Sequence, residues 1–178
     1  MVKRELINQN ARFAGQVERY HTWPVHRRQS IGEHTWQVMR IWWQIWGPLP
    51  EGVSTYLLWH DAGEQVVGDP PFPLKANNLE LKLTLDHLEA EAVDAMGGPS
   101  IKGPPTPTYD RQRAKICDLL EMWEFGICEL GMGNDYAKPI ISGTLTAVRK
   151  LLTQLSGADQ KLVEAYVHKL SMRGAFKT

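Results

Sequence analysis

Apolar residues recur at helical spacing along most of the chain, and the clearest stripe lies within residues 31–46. Its members follow the i, i+3, i+4, i+7 order of an amphipathic helix: Val38, Ile41, Trp42 and Ile45. Ser30 precedes this stretch and Glu33 follows three residues later, which is the pattern of a capping box at a helix start. Gly47 and Pro48 predict where the helix ends.

The same periodicity predicts further helices at residues 4–18, 52–64, 77–96, 109–130, 134–155 and 158–172. Residues 68–73 contain three prolines, which remove backbone donors and fix φ, so we expect irregular structure there. Residues 99–107 hold four prolines and a glycine and predict a surface loop. The sequence contains no convincing strand alternation and no internal repeat. It therefore predicts an all-α fold, a single domain over residues 1–178 built as a bundle of about six to eight helices.

Composition and charge narrow the class of protein. The chain has 178 residues, of which 43% are hydrophobic and 22% charged, and these values exclude disordered and collagen-like chains. Twenty lysines and arginines balance twenty aspartates and glutamates, so no net basic charge favours binding to nucleic acid or to an anionic membrane. We expect neither as a partner.

Two features bear on the cellular compartment. The N-terminal residues lack the apolar region of a signal peptide, and the most apolar run, 38–46, is interrupted by Arg40 and Gln44. That run is also far shorter than the ~20 residues of a membrane span. Cys117 and Cys128 would stand ~16 Å apart on one helix, beyond the ~7 Å that a disulfide allows. We therefore expect reduced thiols and a cytoplasmic protein, in the host cytoplasm if the chain is phage-encoded.

Two of the predicted helices direct histidines and carboxylates towards the interior. His34 falls on the apolar stripe of its helix, one turn before Val38. One face of the helix at 52–64 combines apolar and ionisable residues: Val53, Tyr56, Leu57, His60 and Glu64. Asp61 follows His60 directly. A buried carboxylate needs a partner, and a divalent cation (Zn, Co, Mn or Fe) suits two imidazoles and two carboxylates. Because a lone inward histidine is more often a hydrogen-bonded core residue, that alternative stays open at this point.

The order of these residues resembles a known motif. His34, the pair His60-Asp61 and the later Asp118 resemble the H…HD…D signature of the HD-domain metal-dependent phosphohydrolases. Residues 59–75 are similar to the corresponding run of the YfbR-like 5′-deoxynucleotidase branch, and so is the stretch around His34. Residues 19–24 also resemble the phage dATP triphosphohydrolase (DatZ) group. The resemblance extends over about residues 15–125.

The resemblance implies a divalent metal centre of Zn, Co or Mn with these ligands: His34, His60, Asp61 and Asp118. A second ion, Mg or Mn, would suit a polyphosphate substrate. From spacing alone Asp110 and Asp135 compete with Asp118, but the segment 115–120 around Asp118 resembles the family's final aspartate segment.

Catalytic roles follow from the same resemblance. Glu64, one helical turn beyond His60, would be the general acid or base, although a solvated glutamate at a helix end is the alternative. Asp69 would be catalytic by orienting Arg19 or by holding the second cation, or it would only cap a turn.

The expected substrate contacts fall into two groups. Arg19 and Lys75 would bind phosphate. The base or sugar would lie against Tyr20, Thr22, Trp23 and Pro73, although core packing explains Trp23 equally well. Three more cations are expected at the surface, with contact to a polyphosphate tail as the alternative: Arg27, Arg28 and Lys82.

The function implied by the resemblance is metal-dependent hydrolysis of a small-molecule deoxynucleotide. We favour a dATP triphosphohydrolase that releases deoxynucleoside and triphosphate over a 5′-deoxynucleotidase that releases phosphate from dNMPs. A hydrolase of signalling nucleotides and a non-catalytic nucleotide sensor are further alternatives. Trp36, Trp43 and Trp46 lie partly off the apolar stripe and predict either a subunit interface, hence a homo-oligomer (dimer or hexamer), or a second buried face.

Overall fold

A computed structural model describes residues 10–99 and 108–172, apart from the side chains at 72, 73, 76 and 172. Within these ranges the chain forms eight α-helices: α1 Ile31–Trp46, α2 Glu51–Trp59, α3 Glu64–Val67, α4 Phe72–Asn77, α5 Leu79–Ala95, α6 Thr108–Gly131, α7 Lys138–Leu152 and α8 Gly157–Met172. Short 3-10 helices cover Ala11–Gln16 and Asp135–Ala137, and β1 (Glu18–Arg19) pairs antiparallel with β2 (Gln29–Ser30). The fold is all-α, as predicted.

Helix α1 has the predicted bounds and the predicted start. The Ser30 hydroxyl accepts a hydrogen bond from the Glu33 backbone N–H at 3.2 Å, which satisfies one of the N–H groups that a helix start leaves without a partner. The long helices α5, α6 and α8 lie within two residues of their predicted bounds at each end. Strong apolar periodicity therefore located the long elements.

Three local predictions were wrong. The helix expected at 52–64 ends at Trp59, and residues 60–63 form turns before α3 begins. In the described part of 4–18, a 3-10 helix and then β1 replace the expected α-helix. Helix α4 starts inside 68–73, because a proline in the first turn of a helix has no hydrogen bond to lose. Most of the loop predicted at 99–107 lies outside the described residues.

The chain divides into two compact units. Of the described residues, the first unit takes 10–24, 28–36 and 54–99, and the second takes 25–27, 37–53 and 108–172. The single domain predicted from the sequence stays a prediction.

In the first unit, α3 and α5 pack closely beside a small core of Ala14, Ala62 and Val93. Gly63 permits this approach, since a Cβ atom built there would lie 2.4 Å from the carbonyl oxygen of Glu89 on α5. Any side chain at position 63 would push the two segments apart.

In the second unit, α6 packs along α7, and Gly126 of α6 faces Ile141. Both cysteines lie on α6 and are free thiols, as predicted.

Among the tryptophans of α1, Trp36 and Trp43 are 62% and 57% exposed, whereas Trp46 packs against another ring of the same helix. The subunit interface stays a prediction. None of the helices in the described ranges combines the length and the apolar character needed to cross a bilayer.

Candidate metal centre

Three of the predicted ligands come together in the first unit. Asp61 Oδ2 lies 3.4 Å from Nε2 of His34 and 3.4 Å from Nε2 of His60. The two imidazole centroids are 5.5 Å apart. The His34 side chain is fully buried and that of His60 is 10% exposed, so the cluster is shielded from bulk water on its histidine side.

Local structure explains this convergence. His34 lies on the inner face of α1, one turn before the buried Val38. Helix α2 ends at Trp59, and the following turn carries His60 and Asp61. The His60 ring is fixed by a hydrogen bond of 2.6 Å between Nδ1 and the Leu57 carbonyl oxygen. A carbonyl can only accept, so Nδ1 donates this hydrogen bond and Nε2 is the nitrogen that faces Asp61.

The donor set fits a divalent ion. Atoms that ligate one ion at ~2.0–2.1 Å stand ~3.0–3.4 Å apart, which matches the measured separations. Two imidazole nitrogens and a carboxylate oxygen converge, and within the described residues the His60 Nε2 makes no hydrogen bond. A histidine whose other nitrogen binds a backbone carbonyl is the usual arrangement of a metal ligand. The chemistry suits Zn, Co or Mn.

The fourth predicted ligand lies on α6, in the second unit. The Asp118 side chain is 15% exposed and forms an ion pair with Lys115. Its competitors also have cationic neighbours, Arg113 for Asp110 and Lys138 for Asp135. The assignment of Asp118 to the metal stays a prediction.

Glu64 is the buried acid of the first unit. It opens α3 and is only 5% exposed, and within the described residues its Oε2 makes no hydrogen bond. Burial, together with the charges of Asp61 and Asp69, raises the pKa of Glu64 to about 9, against the opposing effect of Lys75. A carboxyl in this environment carries its proton at neutral pH.

Lys75 lies between two carboxylates. Its Nζ is 3.2 Å from Oε1 of Glu89 on α5 and 3.7 Å from Oε1 of Glu64. Burial opposes the charged ammonium, but these carboxylates raise the Lys75 pKa above its usual value. The sequence analysis missed Glu89, although it stands one turn before the buried Val93 and so on the inner stripe of α5.

Arg19, Tyr20 and Asp69 form a second group in the first unit. The Tyr20 backbone N–H donates to Asp69 Oδ2 at 3.2 Å, and the φ of Tyr20 is 58°. Arg19 is buried, donates to Gln29 Oε1 at 3.3 Å and stands over the Tyr20 ring at 5.3 Å. Asp69 thus holds the backbone next to Arg19, while its predicted cation-binding role stays a prediction.

The other predicted substrate contacts are mostly at the surface. Thr22 is exposed and Trp23 is 38% exposed, and the Pro73 side chain lies outside what the structure describes. The three remaining cations are exposed: Arg27, Arg28 and Lys82. Two of them pair with acidic neighbours, Arg28 with Glu18 and Lys82 with Asp86.

Comparison with known proteins gives one functional indication. The dATP triphosphohydrolase of Salmonella phage PMBT28 is 33% identical to this chain over 143 residues, covering 73% of the chain and 70% of the phage protein. No protein-family model matches the chain. The resemblance to the HD-domain phosphohydrolases therefore rests on the residues described above.

Proposed function

The chain belongs to the family of the phage dATP triphosphohydrolase that it matches, and we propose that it is a divalent-metal-dependent deoxynucleotide phosphohydrolase of the HD type. The proposed reaction splits dATP into deoxyadenosine and triphosphate. The observation that carries the proposal is the convergence of His34, His60 and Asp61 beside the buried Glu64.

In this proposal His34, His60 and Asp61 would hold the ion. A divalent ion there would supply two effects, since it would lower the pKa of a water molecule and withdraw charge from a phosphoryl oxygen. The hydrogen bond between His60 Nδ1 and the Leu57 carbonyl keeps that ring oriented, which would leave Nε2 available as a ligand.

Glu64 provides the proton. Hydrolysis at the α-phosphorus breaks the bond to the 5′ oxygen of the deoxynucleoside, and that oxygen needs a proton as it leaves. Burial raises the pKa of Glu64, which favours its protonated form, and its Oε2 is not engaged within the described residues. A general acid so placed fits the expected role.

Two cations of the first unit are the proposed phosphate contacts. Lys75 carries a charge close to Glu64, and Arg19 is held rigidly by Gln29 and by the Tyr20 ring. Guanidinium binds two phosphoryl oxygens at once, whereas the ammonium acts as a point charge. Orientation of the scissile phosphate is therefore assigned to Arg19 and charge neutralisation to Lys75.

Product analysis tests the proposal. The metal-stripped chain is incubated with each dNTP and each dNMP after addition of Co, Mn, Zn or Mg, and an Asp61→Asn preparation controls for contaminating phosphatases. Triphosphate and deoxyadenosine from dATP are the expected products. Phosphate from dNMPs with dNTPs intact would instead assign a 5′-deoxynucleotidase, and no turnover with any metal would favour a signalling nucleotide or a sensor.

A further inference from the structure

The ammonium of Lys75 is held by a residue that the proposed mechanism does not use. Lys75 Nζ is closer to Glu89 Oε1, at 3.2 Å, than to Glu64 Oε1, at 3.7 Å. The Glu89 side chain is 14% exposed and that of Lys75 is 24% exposed, so water screens this pair only weakly. The shorter contact is a hydrogen bond and the longer one is not.

The backbone of α5 also brings Glu89 close to the candidate site, independently of the side-chain contact with Lys75. The carbonyl oxygen of Glu89 comes so close to Gly63 that a Cβ atom there would lie 2.4 Å from it. Gly63 separates the turn that carries Asp61 from Glu64 at the start of α3. The turn of α5 that carries Glu89 thus approaches the backbone of the candidate site at Gly63.

We propose that Glu89 is a positioning residue, which keeps the Lys75 ammonium directed at the substrate phosphate and away from Glu64. This inference rests on the proposed function, in which Lys75 binds phosphate and Glu64 donates a proton. Glu89 itself touches neither the substrate nor the ion in this scheme, and acts only through Lys75.

The physical reason is competition between two carboxylates for one cation. If Glu89 loses its charge, the nearest remaining carboxylate that the structure gives for Lys75 is Glu64. A direct pair between them would withdraw Lys75 from phosphate and hold Glu64 in its ionised form. Both the affinity for substrate and the rate of the chemical step would fall.

A double-mutant cycle on the full-length, metal-loaded chain tests the inference. Glu89→Gln should lower kcat/KM for dATP by about 10- to 100-fold, since misplacing one group by ~1 Å can cost 10²-fold. Lys75→Met should raise KM. In the Lys75→Met background, Glu89→Gln should change neither kcat nor KM, because the residue through which it acts is absent.

A purely structural role for Glu89 predicts a different result. Equal losses in both backgrounds, or unchanged kcat/KM for Glu89→Gln alone, would overturn the inference. Glu80→Gln is the matched control, an exposed glutamate in the first turn of the same helix, and should leave turnover unchanged.

Two further measurements complete the test. Glu89→Asp keeps the charge on a shorter side chain and should give an intermediate loss that also disappears in Lys75→Met; if Glu89→Gln does not fold, this variant takes its place in the cycle. The turnover of the wild-type chain distinguishes failure of the proposed function from failure of this inference. A wild type without turnover of any deoxynucleotide overturns the proposed function and this inference with it, whereas an active wild type with additive variants overturns the inference alone.

Discussion

Glu64 of the first unit and Asp159 of the second are both buried carboxyl groups, yet their surroundings are opposite. Asp159 is 2% exposed and accepts hydrogen bonds from four side chains: Trp46, Tyr109, Arg113 and Ser156. Glu64 is 5% exposed, and within the described residues its Oε2 makes no hydrogen bond. Burial opposes ionisation at Asp159, but its hydrogen bonds outweigh burial and lower its pKa, whereas burial and like charges raise the pKa of Glu64 to about 9.

Glu129 repeats the arrangement of Asp159. Its side chain lies at the end of α6, has no exposed surface and accepts from the backbone N–H groups of His26 and Arg27 and from Asn134 Nδ2. Despite burial, these donors lower its pKa. Satisfied carboxylates of this kind join segments of the fold, while a carboxyl surrounded by other carboxylates is suited to proton transfer.

Among the variants that test this comparison, Asp61→Asn is expected to have the largest effect on activity. Asp61→Asn removes a charge that faces both histidines, so the site should lose its ion and turnover should fall by more than the ~10²–10⁴-fold typical of a lost general acid. Metal content after gel filtration and dATP hydrolysis measure the two effects. Asp94→Asn, on the exposed face of α5, is the control, and full metal occupancy in Asp61→Asn would contradict the assignment.

The next largest effect is expected for Glu64→Ala. The variant keeps the ligands His34, His60 and Asp61, so it should bind metal as the wild type does while turnover falls ~10²–10⁴-fold. Metal analysis and steady-state kinetics on the same preparation separate the two. Retained turnover would show that another group supplies the proton.

The structural side is tested by Asp159→Ala. Removing this carboxylate leaves Arg113 with only the longer contact to the partly exposed Asp110 among the carboxylates given for it, and should cost ~3 kcal/mol of unfolding free energy, at the lower end for a broken buried pair because Arg113 is 24% exposed. The Asp159 pKa lies below its ordinary 3.8, so its contribution is complete above that value and is lost as pH falls through the folded pKa. Denaturant unfolding should show a larger difference between the variant and the wild type at pH 7 than at pH 2.5. Asp135→Asn, at an exposed ion pair, should cost less than ~1 kcal/mol.

The smallest expected effect is a gain in folding stability, in the variant Glu64→Gln. In the metal-free chain, a Glu64 pKa raised from 4.5 to about 9 lowers stability progressively as pH rises through that interval. Glu64→Gln stays neutral and should therefore be more stable than the wild type by ~2 kcal/mol at pH 7 and equal to it near pH 4. Chelated samples unfolded with urea at the two pH values give this comparison. Equal stability of the variant and the wild type at both pH values would mean that the wild-type carboxylate is well solvated.

Helical periodicity predicted the long helices and the burial of His34, because both follow from the spacing of residues along a single helix. It failed around His60, where the apolar spacing continues but the helix does not. Helix α2 ends at Trp59, and Gly63 permits the close approach of α5. Glu64 is buried as predicted, although it opens a new helix rather than completing a stripe. Contacts between different elements determined these positions, and the spacing of residues along one helix carries no information about such contacts.

Glu89 illustrates the same limit. Helix α5 carries several acidic residues, and although the spacing from Val93 places Glu89 on the inner stripe, it does not show that Glu89 meets Lys75. That distinction depends on where α4 places Lys75, which is a property of the folded first unit. The resemblance to a known motif pointed to His34, His60 and Asp61, which the structure brings together, but it singled out no residue of α5.

The left-handed backbone of Tyr20 has a consequence for folding stability. A non-glycine residue at φ 58° is disfavoured by roughly 1–2 kcal/mol, and glycine at the same position would avoid that loss. The Asp69 carboxylate offsets part of it by accepting the Tyr20 N–H. Glycine would remove this loss together with the aromatic ring over which the Arg19 guanidinium stands, so at this position a relaxed backbone and the contact with Arg19 are alternatives.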